Sequence, residues 1–160
     1  MPRFNRLLLP TGFSELSRRA SAWAVPIAEA FGSEVHVVHI VPHTELMLAV
    51  PAVEPGIGMA MPLPGPPAEE LLANARSSLD RFVAEIFPSL TARVRTHASI
   101  GGVVDELVRY AEQNSIDVIV MGTHADGMLK RLVYGSVGKS VLEMAPCPVL
   151  LVPVRELPRK

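Results

Sequence analysis

Glycines stand where a backbone must come close to something in Met121-Gly122-Thr123-His124-Ala125-Asp126-Gly127, followed by Tyr134-Gly135-Ser136-Val137. Gly122 ends an apolar run, and Gly135-Ser136 opens a helical pattern. Amides free of side-chain crowding therefore sit at a helix start. The unpaired N–H groups and positive dipole end of such a first turn suit a phosphate. His124 in the same loop adds a ring N–H that can donate to an anion. The competing reading is that these glycines only permit tight turns, and spacing does not separate the two.

Other candidate chemistry is weaker. Gly138-Lys139-Ser140 looks like the end of a Walker phosphate loop, but that motif needs a glycine where Val133 stands, and the segment falls inside a helical pattern. Histidines 36, 39, 43, 97 and 124 form neither an i, i+4 pair on one helix nor a Cys/His zinc spacing, so no metal site is expected. His36 and His39 should point to opposite faces of a strand. Ser14, Ser136 and the loop histidines supply nucleophile types without an evident base and orienting partner. The chain thus reads as a binding protein with no catalytic residues, not as an enzyme. Cys147, the one cysteine, sits between Pro146 and Pro148 and reads as a small buried hydrophobe in a reducing compartment.

The elements that must hold these residues alternate. Leu7-Leu8-Leu9 before Pro10-Thr11-Gly12 predicts a central strand buried on both faces. Ser14 offers a helix N-cap, and Leu16, Ala20, Trp23, Ile27 and Phe31 recur at helical spacing up to Gly32. Pro26 inside that helix should kink it, at about 3 kcal/mol unless packing compensates. Strands follow at 35–41, 92–99, 118–121 and 148–154, and helices after Glu69, across Val104, Leu107, Val108 and Ala111, and across Val137, Val141 and Met144. Between Pro42 and Pro67, seven prolines and three glycines forbid a long element, and Met47, Met59 and Met61 give the segment adaptable apolar surface. A connection of this kind is a functional lid or an excursion with no role of its own.

This alternation predicts one α/β domain over residues 1–160, a doubly wound, mostly parallel five-stranded sheet with helices on both faces. Ligands then bind beyond the carboxyl ends of the strands, which selects loops 10–13, 41–43, 100–102 and 122–136. Composition narrows the partners. A formal charge of −1 argues against general nucleic-acid binding, and no run approaches the ~20 apolar residues of a membrane span. A cytoplasmic protein is expected.

Met121 to Val152, and the chain as a whole, resembles the universal stress protein family. Its nucleotide-binding members carry a glycine, two residues, a glycine, nine residues, then Gly-Ser or Gly-Thr. Gly122, Ala125 and Gly135-Ser136 fall in that register. Leu9-Pro10-Thr11, Val120-Met121-Gly122 and the ending Ala145-Pro146-Cys147-Pro148-Val149-Leu150-Leu151-Val152 are also similar. The resemblance implies strand order 3-2-1-4-5 and a site for ATP or a related adenine nucleotide. Its residues would be Pro10, Thr11, Gly12, Val41, Met121, Gly122, His124, Ala125, Gly135, Ser136 and Val137. It also implies a homodimer paired through Val149, Leu150, Leu151 and Val152, which covers an apolar sheet edge.

Two positions depart from the family pattern. Ala125 replaces a glycine, and Gly12 replaces the aspartate that contacts base and ribose. A lost charge-assisted hydrogen bond is worth about 1.5–3 kcal/mol, or one to two decades in Kd. Three readings follow: a stress-response protein with weak or altered nucleotide binding that acts on an unidentified protein partner, a nucleotide-free dimeric interaction module, and a slow ATP hydrolase.

Overall fold

A computed structural model describes residues 4–48, 63–123 and 136–153. β1 (Arg6–Pro10), α1 (Glu15–Phe31) and β2 (Glu34–Pro42) open the chain. A 3-10 turn (His43–Leu46) leads to β3 (Met47–Leu48), which pairs antiparallel with β4 (Leu63–Pro64). Then come α2 (Ala68–Ile86), β5 (Val94–Gly101), α3 (Val103–Gln113), β6 (Val118–Thr123), α4 (Ser136–Met144) and β7 (Val149–Pro153). Much of the proline-rich segment, with Met59 and Met61, lies outside the described residues.

The main sheet has the order β5-β2-β1-β6-β7, and every pairing in it is parallel. Counting only its own strands, this is the expected 3-2-1-4-5. Leu7, Leu8 and Leu9 are fully buried because β1 lies between β2 and β6 with a helix layer on each side. Leu7 and Leu9 join a core with Ala20, Ala24 and Ala28 of α1 and Leu79 and Phe82 of α2. Leu8 joins the opposite core with Leu107 and Ala111 of α3 and Val141 of α4. Continuous apolarity in β1 is thus the period-2 rule applied to two faces at once.

The starts of β1 and β6 are clasped by Asp117. Its Oδ2 accepts from the amides of Asn5 (2.7 Å) and Arg6 (2.9 Å). At the amino half of β2, buried His36 sits between Tyr110 Oη (2.9 Å from Nδ1) and Glu34 Oε1 (2.8 Å from Nε2). Burial holds the His36 pKa below its ordinary value, although Glu34 pulls the other way. The ring is therefore neutral near pH 7, with Nε2–H donating to Glu34 and Nδ1 accepting from Tyr110. His39 projects to the other face, against Phe13, as strand alternation requires.

α1 departs from the sequence expectation. Trp23 and Phe31 are 58% and 56% exposed, and the buried face is Ser17, Ala20, Ser21, Ala24 and Ala28. A small-residue stripe brings the helix axis close to the sheet, whereas a stripe containing Trp23 would hold it away. The buried hydroxyls are satisfied, since Ser21 donates to the Arg18 carbonyl (2.7 Å) and Ser17 accepts from the Gly12 amide (3.0 Å). Pro26 stands on the exposed side above exposed Ala22, so the carbonyl deprived of a helical donor is open to water. Ser14 occupies the N-cap position in extended geometry but its side chain makes no capping bond. β7 forms one sheet edge, with Leu150 36% exposed and Val152 buried.

Candidate functional site

β1 is where the strand order reverses, with β2 and β5 on one side and β6 and β7 on the other. The connections leaving β1 and β6 therefore part company above the sheet, and a crevice opens between them. The crevice has a volume of about 430 Å³, within the range of small-molecule sites. Its floor is apolar, built from Val38 and Ile40 of β2, Val103 and Leu107 of α3, Met121 of β6 and Val137 of α4. Around it stand Thr11, Ser14, Ser17 and Thr123, with Glu45 contributed by the 3-10 turn after β2.

Three helices begin at this crevice: α1 beside Ser14, α3 at Val103 and α4 at Val137 and Gly138. Each start carries about half a positive elementary charge and amides without helical partners. A ligand with a flat apolar part and an anionic part matches both halves of this environment. Thr123 adds a buried hydroxyl oxygen with no hydrogen-bond partner among the described residues. The Gly138-Lys139-Ser140 segment lies within α4, not in a loop, as expected.

The loop after β1 is held in one shape. The Thr11 amide donates to the Val38 carbonyl (2.8 Å), the Gly12 amide to Ser17 Oγ (3.0 Å), and the Phe13 amide to Thr11 Oγ1 (3.0 Å). His39 Nδ1–H donates to the Thr11 carbonyl (2.7 Å), which fixes the orientation of the ring. Phe13 adopts a left-handed backbone (φ 59°), uncommon for a bulky residue, and its ring stacks on His39 with centroids 4.5 Å apart. A Cβ added at Gly12 would meet nothing within 4 Å, so the position is open toward the crevice.

Of the residues expected at the site, Pro10, Thr11, Gly12, Met121, Gly122 and Val137 line the crevice. Ser136 begins α4. His124, Ala125 and Gly135 lie outside the described residues. Val41 is 2% exposed and is not among the residues lining the crevice, although its neighbours Ile40 and Pro42 are. Gly122 has a role that spacing did not reveal. A Cβ there would overlap the Leu16 carbonyl oxygen and stand 2.8 Å from its carbon, so the glycine admits the first turn of α1 against β6. Ser17, Glu45, Val103, Leu107 and Thr123 were missed, the apolar ones because a floor residue and a core residue have the same periodicity.

Among the described residues no group of His, Cys, Asp and Glu could hold a metal ion, and no helix is long and apolar enough to cross a membrane. A doubly wound parallel sheet with a crevice at its switch point defines the class of α/β protein. The model of the universal stress protein family matches residues 3–153, and the chain belongs to that family. It is 32% identical over 151 residues to the universal stress protein in the QAH/OAS sulfhydrylase 3′ region of Thermus aquaticus, covering 93% of this chain and 98% of the relative. Among solved structures, the universal stress protein UspA from Lactobacillus plantarum is similar with TM-score 0.66 at 22% identity, covering 94% and 98% of the two chains. The universal stress protein from Archaeoglobus fulgidus in complex with dAMP is similar with TM-score 0.60 at 20% identity, covering 95% and 99%.

Gly122→Ala should therefore destabilise the fold by about 2 kcal/mol, the cost of forcing a methyl into a packed interface. Gly12→Ala, with open space ahead of it, should change stability by less than about 0.5 kcal/mol. Urea denaturation of both variants checks the contrast, and equal effects would contradict the assigned roles.

Proposed function

We propose that the crevice binds an adenine nucleotide, ATP or a relative with fewer phosphates, and that the protein acts in the stress response through binding and self-association without catalysis. One observation carries the reading: three helix starts converge on an apolar floor in a crevice of about 430 Å³. The base would lie on Val38, Ile40, Leu107 and Met121, and the phosphates would face the first turn of α4. The Archaeoglobus fulgidus relative bound to dAMP supports the ligand class. Gly12 leaves the middle of the crevice without a carboxylate, which argues for weak binding. Among the described lining residues no serine or threonine is paired with a base that a third group orients, which argues against hydrolysis.

Gly12→Asp tests the reading, since the open space admits the side chain. Isothermal titration should show the variant binding ATP about tenfold more tightly than the natural protein, a gain of about 1.4 kcal/mol. No heat of binding in either protein would contradict the proposal.

Self-association is proposed through β7, where Val149, Leu150, Leu151 and Val152 form a sheet edge with Leu150 partly exposed. Pairing with a second copy across a twofold axis would give every edge amide a partner. Sedimentation equilibrium should give a dimer at micromolar protein, and a monomer throughout would contradict this part.

A further inference from the structure

Glu45 is the one acidic side chain among the described residues that line the crevice, and the way it is held there is specific. The 3-10 turn His43–Leu46 follows β2 directly and is closed on its far side by the β3–β4 pairing. The Gly65 amide donates to the Leu46 carbonyl at 2.8 Å. A Cβ at Gly65 would stand 2.8 Å from the Glu45 carbonyl oxygen, so only a glycine lets this strand press against the turn. The backbone of Glu45 is thus fixed from both ends. Its side chain is exposed, and among the described residues it has no ion-pair or hydrogen-bond partner.

The topology gives the crevice two unlike flanks. β2 and Glu45 lie to one side of β1, while β6, Thr123 and the start of α4 lie to the other. The α4 flank offers unpartnered amides and favours an anion. On the other flank, where α3 also begins, Glu45 is the one charged side chain lining the crevice, and its carboxylate accepts from hydroxyl or amine donors. Between the flanks the floor is apolar. A ligand that satisfies all three regions has phosphate at one end, a flat apolar ring over the floor, and vicinal hydroxyls at the rim.

On this basis, and resting on the nucleotide-binding reading above, we propose that Glu45 is the specificity-determining residue for the ribose of the bound nucleotide, its carboxylate accepting from the 2′- and 3′-hydroxyls. The acceptor comes from the turn after β2, in a crevice where the loop after β1 presents Gly12 and no carboxylate. The site therefore selects ribonucleotides over sugars lacking these hydroxyls.

The test is isothermal titration of the full chain with AMP and with 2′,3′-dideoxy-AMP. The natural protein should prefer AMP by about tenfold or more, the worth of one charge-assisted hydrogen bond. In Glu45→Ala the preference should fall to about one, with affinity for the dideoxy compound unchanged. Glu45→Gln keeps the shape and a neutral acceptor, and should retain only part of the preference. An undiminished preference in Glu45→Ala would overturn the role of Glu45 while leaving nucleotide binding intact. Absence of AMP binding to the natural protein would overturn both. An equal loss for both ligands would show that Glu45 only shapes the turn, and would also overturn the proposal.

Discussion

The crevice exists because α1 settles directly onto β6. That approach is possible only because Gly122 has no side chain and the helix presents Ser17, Ala20, Ser21, Ala24 and Ala28 to the sheet. Any larger pair of surfaces would lift α1 and widen the gap above β1. The same contact sets where α1 begins, and hence where Ser14 and Ser17 stand and how the Gly12 amide is held. Small residues act here as a spacer of fixed thickness, and their energetic contribution comes from close packing more than from buried area.

From that constraint the electrostatics follow. Right-handed crossovers place helix starts at the carboxyl ends of parallel strands, and the reversal of order at β1 brings three of them around one opening. Positive potential is then a property of the backbone and needs no lysine or arginine. Side chains tune it: Glu45 makes one flank an acceptor, while Thr11 and Ser17 are spent on holding the loop. A polarised crevice of this sort orients a ligand as well as binding it.

Much of this was legible in the sequence. Apolar runs, glycine and proline punctuation and the alternation of periods 2 and 3.6 located every strand of the main sheet, with boundaries shifted by only a few residues. β2 runs one residue beyond a pattern reading at each end, reaching Pro42, whose pairing partner is Gly101 of β5. What failed failed for physical reasons. The buried face of α1 was assigned to its largest apolar residues, whereas a tight interface selects small ones and leaves Trp23 and Phe31 in solvent. Val41 was expected in the site from the family resemblance, and it is buried while its neighbours Ile40 and Pro42 line the crevice. Glu45 carried no signal in sequence, since its place depends on a turn closed by residues some twenty positions away.

The central claim is that one crevice, at the reversal of strand order, is the nucleotide site. Titration of isotope-labelled protein with AMP, followed by amide resonances, tests it most directly. The account predicts the largest shifts at Thr11, Gly12, Ser17, Thr123, Val137 and Gly138, with little change on α2 or at the amino half of β2. Shifts concentrated elsewhere, such as around His97 and Tyr110 on the β5–α3 side, would contradict it, as would none at all.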